Sequence, residues 1–210
     1  MRRWLLLLLL LPLVAVAEVR VRPVSWAQPM MGLDLDNFYK LTEGVYRSKQ
    51  PDDEAMAALE NMGIRSILNL REYHTDDDEA RGTGLKLYNV PVNAGRIDDE
   101  FVLRSLRIIA SAEKPILIHC WHGSDRTGVV AAMYRMVFQG WSREAAIDEF
   151  VQGGFGYHKR FYPNIERYLE TVDIDTIREQ LSRDAGKGDM GGDNAVSVAD
   201  PSALDTPRDR

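Results

Sequence analysis

The residues best suited to chemistry fall in one run, Ile118-His119-Cys120-Trp121-His122-Gly123-Ser124-Asp125-Arg126-Thr127-Gly128. Cys120, the chain's single cysteine, follows a short apolar stretch, and Arg126 stands six residues later where a helical pattern begins. A strand–loop–helix turn gathers successive backbone N–H groups into one concavity, and the helix N-terminus adds partial positive charge. Such a loop holds a tetrahedral oxyanion such as phosphate and favours the thiolate of a cysteine at its centre. The planar fork of Arg126 is suited to two parallel hydrogen bonds to phosphate oxygens. Gly123 permits a sharp turn and close backbone approach. The Thr127 hydroxyl is placed to donate to the thiolate, and His119 to steady the loop. Trp121, His122, Ser124 and Asp125 complete the phosphate-binding loop; Trp121 and His122 either line its mouth or pack outward. These parts make a nucleophile, an anion cradle and a charge clamp.

The bland alternative is a buried structural cysteine followed by an incidental arginine. A fixed position matches by chance about one time in twenty on ordinary composition. The matches at His119, Gly123, Arg126, Thr127 and Gly128 then arise together on the order of once in three million. That margin favours the chemical reading.

The elements around the run must hold it in place. Gly44-Val45-Tyr46-Arg47, residues 65–70, residues 87–90 and Pro115-Ile116-Leu117-Ile118 read as strands, the last as a buried parallel one. Helices are predicted from Pro51-Asp52-Asp53-Glu54 to about Met62, after Ile97-Asp98-Asp99-Glu100, over Thr127–Gln139, and from a Ser142 cap to about Gln152. Residues 163–182 hold one or two more. Strands alternating with helices predict an α/β fold with a mostly parallel central sheet flanked by helices. Met133, Met136, Tyr134 and Phe138 lie at helical spacing and read as core. Arg47 and Arg71 follow strand-like segments and either face phosphate or sit in ordinary ion pairs. His74 and His158 receive no role.

The chain has 210 residues, 45% of them apolar, with a net charge of −6. It is long enough for one domain with a core, and its acidity argues against nucleic acid as a partner. One cysteine excludes an intramolecular disulfide and the zinc patterns built on paired cysteines. Met1-Arg2-Arg3, seven consecutive leucines from Leu5 to Leu11, and Ala15-Val16-Ala17 before Glu18 predict a signal peptide over 1–17, cut after Ala17. The apolar stretch is short of the ~20 residues a spanning helix needs, so no stable membrane insertion is expected after cleavage. The expected organisation is a signal peptide at 1–17, an extended arm at 18–37, a catalytic domain at 38–183 and a disordered tail at 184–210. The expected location is periplasmic or secreted.

Cys-x5-Arg preceded by His and followed by Thr-Gly resembles the signature of cysteine-based dual-specificity protein tyrosine phosphatases. Val45-Tyr46-Arg47-Ser48, Arg96-Ile97-Asp98-Asp99, Ala131-Ala132-Met133-Tyr134-Arg135, Gln139-Gly140-Trp141 and Gly153-Gly154-Phe155-Gly156 are similar to the periplasmic bacterial branch of the TpbA type. The resemblance covers roughly residues 38–160. It implies attack of the Cys120 thiolate on phosphorus, a phosphocysteine intermediate, and charge stabilisation by Arg126 and the loop amides. It implies no cofactor and no metal. An upstream aspartate then supplies the general acid. Here that family position falls on Gly95, which has no acid. Asp98 is the leading replacement; Asp99 and Asp125 are the others, and helix capping is the bland reading of Asp98 and Asp99. Asp125 before the arginine is also similar to phosphatases acting on phosphoinositides.

The leading function is therefore an exported tyrosine or dual-specificity phosphatase acting on a phosphorylated protein, with the periplasmic face of a membrane signalling protein as a natural partner. A monomer is expected. The alternatives are an inositol phosphate or phosphoinositide phosphatase and a phospho-binding module that has lost turnover. A sulfurtransferase fits less well, because its loop is usually shorter.

Overall fold

The computed structural model describes residues 21–188. The expected signal peptide at 1–17, the first three residues of the arm and the tail from 189 onward lie outside the described residues. Six strands form one sheet: β1 (Gln28–Pro29), β2 (Tyr39–Thr42), β3 (Val45–Ser48), β4 (Ser66–Asn69), β5 (Lys86–Asn89) and β6 (Ile116–His119). Their spatial order is β1-β2-β3-β6-β4-β5. The four strands β3, β6, β4 and β5 pair in parallel, whereas β1 and β2 add antiparallel at one edge. Central β6 is buried on both faces, which is why Ile116, Leu117 and Ile118 follow one another without a polar break before His119.

Among the described residues six helices flank the sheet: α1 (Asp53–Asn61), α2 (Asp99–Ser111), α3 (Asp125–Phe138), α4 (Arg143–Gln152), α5 (Pro163–Thr171) and α6 (Ile174–Gly188). Alternation along the strands divides the core. Ile67 of β4 and Leu117 of β6 pack with Met56 and Leu59 of α1 on one face. Their neighbours Leu68, Ile116 and Ile118 face Leu106 of α2 and Val129 and Met133 of α3 on the other. Three caps start helices where the sequence supplies a short polar side chain. Asp52, Asp98 and Ser142 accept from the backbone N–H of Ala55, Phe101 and Ala145.

Three differences from expectation have physical causes. The arm contains β1 and is packed onto the domain: Trp26, Ala27 and Leu35 are buried. β2 has a mixed pattern, Tyr-Lys-Leu-Thr, too short to announce a strand. The last helix runs to Gly188, five residues into the expected tail. Ile177 is fully buried and Leu181 packs on the same core, and backbone hydrogen bonds propagate beyond such anchors.

Candidate active site

β6 ends at His119, and the chain turns through residues 120–124 into α3, so Cys120 leaves the sheet at the carboxyl end of its central strand. Parallel pairing puts Ser48 of β3 and Asn69 of β4 on either side of His119. Gly123 lies at φ +70°, and a Cβ there would come within 2.4 Å of the Ser48 carbonyl oxygen. The loop is thus pressed against the end of β3 at a point only glycine fits. A Cβ at Gly128 would come within 2.4 Å of the Phe150 ring, so the same motif also sets the close approach of α3 to α4.

Loop carbonyls are tied down from outside. The Arg47 guanidinium, 2% exposed, donates from Nη2 to the Gly123 carbonyl at 2.5 Å and stacks 3.7 Å from the Phe155 ring centre. Burial lowers its pKa to about 10, with Glu149 and Cys120 pulling the other way, so it stays charged at neutral pH. The Asn37 amide donates to the His122 carbonyl at 2.9 Å and to that of Phe155 at 2.8 Å. Ser124 Oγ donates to the Phe155 carbonyl at 2.6 Å, so this helix-capping position makes no side-chain cap.

The donors that remain converge on the loop's hollow. No described residue accepts a hydrogen bond from the backbone N–H groups of residues 121–127. Buried Nε of Arg126 and Oγ1 of Thr127 likewise have no partner among the described residues. Arg126 is steadied through Nη1, which donates to the carbonyls of Leu70 at 3.3 Å and Val92 at 3.2 Å. Cys120 is 2% exposed and has no second cysteine to pair with. Unpaired buried donors around a buried thiol fit an oxyanion and its nucleophile.

His119 is steadied by a residue that the sequence did not single out. Its Nε2 lies 2.8 Å from Asp76 Oδ2, and its Nδ1 is 3.4 Å from the Cys120 carbonyl. Asp76 also accepts from Asn69 Nδ2 at 3.0 Å and Gln50 Nε2 at 2.9 Å. Burial pushes the Asp76 carboxyl up, but the hydrogen bond and charge of His119, with Gln50, more than offset it and hold the carboxyl below its ordinary value. Gln50 in turn accepts from Arg71 Nη1 at 3.0 Å, and Arg71 stacks 4.1 Å from the Trp121 ring centre. The side chain of Asp76 therefore supports both the base of the loop and a cation at its mouth.

A cleft of about 520 Å³ opens over the loop, lined by Arg71, Trp121, His122, Asp125, Arg126 and His158 among others. Trp121 and His122 both face it. Asp98 and Asp99 do not line it. Asp98 is spent on the α2 cap, and Asp99 accepts from the Tyr168 hydroxyl at 2.8 Å. Asp125 is brought to the cleft, where its carboxylate accepts the backbone N–H of His158 at 2.9 Å and pairs with the ring Nδ1 at 2.8 Å. Gly95 is exposed in a turn, its N–H donated to Asn93 Oδ1. Donor atoms of His122, Asp125 and His158 lie within 4.8 Å of one another, as do those of His74, Asp76 and Glu79. Asp125 and Asp76 are each already engaged by a histidine of the fold.

A sequence profile described as the tyrosine phosphatase family matches residues 33–188. The dual specificity protein phosphatase TpbA of Pseudomonas aeruginosa is 35% identical over 172 residues, spanning 80% of this chain and 76% of that protein. The crystal structure of a cysteine-to-serine variant of TpbA in complex with phosphotyrosine superposes with a TM-score of 0.69 at 32% identity, covering 77% of this chain and 99% of that one. The inositol diphosphatase SIW14 of Saccharomyces cerevisiae is 30% identical over 158 residues, spanning 70% of this chain and 55% of that protein.

Proposed function

The chain belongs to the tyrosine phosphatase family, and on that footing we propose that it hydrolyses phosphotyrosine, and phosphoserine or phosphothreonine, through a phosphocysteine intermediate at Cys120. One observation carries the reading. The buried Cys120 thiol lies among backbone N–H groups and an Arg126 Nε that no described residue satisfies. The loop amides and Arg126 take the three equatorial oxygens, and the Thr127 hydroxyl, which has no partner among the described residues, donates to the sulfur as it leaves phosphorus. Arg71 and Trp121 at the mouth receive the rest of the substrate. The substrate class follows TpbA, whose variant was solved with phosphotyrosine.

Phosphate release from a phosphotyrosine peptide tests this, measured with chelator present for wild type and Cys120→Ser. Turnover in the wild type alone supports the reading. Phosphate binding retained in Cys120→Ser and lost in Arg126→Ala completes it. A second reading is favoured by one feature. Gly95 offers no acid, and a phosphoanhydride needs none because phosphate is a good leaving group. An inositol pyrophosphate is then the substrate, as the SIW14 name states for that protein. Cleavage of the pyrophosphate, with none of the peptide, selects it; phosphopeptide binding with no turnover of either selects a binding module.

The proposal includes export after cleavage behind Ala17, with a monomeric enzyme acting on phosphorylated protein in that compartment. Fractionation with N-terminal sequencing checks it: a mature chain beginning at Glu18 supports export, and an intact N-terminus in the cytosol overturns it.

A further inference from the structure

The cleft lacks a carboxyl at the expected place, yet the reaction on a tyrosine ester still needs a proton for the leaving oxygen. We propose that His158, held by Asp125, is the catalytic acid and base; this rests on the reading that Cys120 attacks phosphorus.

The geometry separates the two residues by role. Asp125 has both carboxylate oxygens occupied, Oδ1 by the His158 backbone N–H and Oδ2 by the ring Nδ1, and its side chain is 8% exposed. A carboxylate gripping the ring this way accepts from Nδ1–H and leaves Nε2 as the nitrogen that carries or gives up the working proton. No described residue hydrogen-bonds to that Nε2. The ring is 37% exposed and lines the same cleft as Arg126 and Trp121. Its backbone is fixed as well, because the His158 carbonyl accepts from the N–H of Phe161 at 2.9 Å and of Tyr162 at 3.0 Å. Glu72 is the other carboxyl lining the cleft, and both its oxygens are engaged, by Asn93 Nδ2 and the Tyr73 hydroxyl.

The steps balance. As the Sγ–P bond forms and the P–O bond to the leaving group breaks, Nε2–H of the imidazolium passes its proton to the leaving oxygen. The neutral Nε2 then takes a proton from water as that water's oxygen attacks phosphorus. The S–P bond breaks, the thiolate returns, and inorganic phosphate departs with the imidazolium restored. The charged and titratable groups that share the cleft with His158 are Asp125, His122 and Arg126 of the loop, Arg71, Glu72 and Tyr73 after β4, and Tyr162 of its own segment.

The test compares His158→Gln and His158→Ala with wild type, in chelator, on a phosphotyrosine peptide and on 4-nitrophenyl phosphate. Loss of an acid should lower kcat/KM for the peptide about 100-fold and affect nitrophenyl phosphate far less, since a good leaving group needs little proton transfer. His158→Gln should also lose the basic limb of the wild-type pH profile, and added imidazole should restore part of the His158→Ala rate. A purely structural role predicts equal losses on both substrates and no imidazole rescue, and that result overturns the proposal. Glu72→Gln and His122→Gln are the parallel variants; the leaving-group-selective loss appearing in either of them instead moves the role away from His158. If a His158 variant does not fold, a steep dependence of wild-type rate on leaving-group pKa, with no basic limb, overturns the proposal in its place. Wild type that fails to release nitrophenol in a Cys120-dependent way refutes the phosphatase reading itself, a different result from all of these.

Discussion

Replacing Asp76 with alanine removes one acceptor from three donors: Nε2 of His119, the amide of Asn69 and the amide of Gln50. His119 and Asn69 are 0% and 1% exposed, so water reaches neither easily. A buried donor left unsatisfied costs about 1–3 kcal/mol, and two such donors with partial hydration give about 3 kcal/mol. For a domain of this size that is a fall of roughly 6–12 °C in Tm. Asp76→Asn keeps an acceptor for the amides and should cost about 1 kcal/mol. The kinetic signature follows from the next bond outward. The Gln50 amide loses Asp76 and keeps only the Pro51 carbonyl, its hold on Arg71 loosens, and KM should rise more than kcat falls. Acid adds a second readout. The Asp76 carboxyl is held below its ordinary value, so its stabilisation is complete above the unfolded value near 3.9 and is lost as pH falls through the folded one. The variant's stability should therefore decline less than wild type below about pH 4. Urea unfolding of the three proteins from pH 3 to 7 makes the measurement. An Asp76→Ala unfolding free energy within about 1 kcal/mol of wild type would refute the reasoning, because the buried donors would then have other partners.

Three further outcomes are expected. Gly123→Ala meets the Ser48 carbonyl and a left-handed backbone costing about 1–2 kcal/mol; the shifted loop should lower kcat/KM on the order of 100-fold with the fold retained, read by kinetics beside circular dichroism. Glu149→Ala strands the Arg135 guanidinium, whose Nε and Nη2 pair with both carboxylate oxygens at 2.7 and 2.8 Å, and should cost about 3–5 kcal/mol in denaturant. Asp98→Ala should cost about 1 kcal/mol through the lost α2 cap while leaving kcat on a phosphotyrosine peptide unchanged, which steady-state assays will show.

What could be read from the sequence was local. The loop from Cys120 to Arg126 declares itself because strand, turn glycine and helix start are contiguous, and the Asp98 cap because its partner is three residues away. Asp76 was hidden in an acidic run, Asp76-Asp77-Asp78-Glu79, where nothing marks which member is buried. His158 lies beyond two helices from the loop and meets Asp125 only because α4 packs back on α3. The buried state of Arg47 follows from Phe155 closing over it, a contact between positions more than 100 residues apart. Period and spacing carry no record of such pairings; an Asp125 that pairs with a distant histidine looks the same in sequence as one that does not.

The solitary thiol beneath the loop also sets how the protein ages in peroxide. A sulfenic acid formed at Cys120 finds no neighbouring thiol in the chain to condense with. Its reversible refuges are a small external thiol or a cyclic sulfenamide with a backbone nitrogen; past those lies the sulfinic acid, which no disulfide chemistry reverses. Recovery after oxidative stress is thus a property of the surrounding thiol pool rather than of the polypeptide, and the same 2% exposure that shields the sulfur from oxidant slows its reductant.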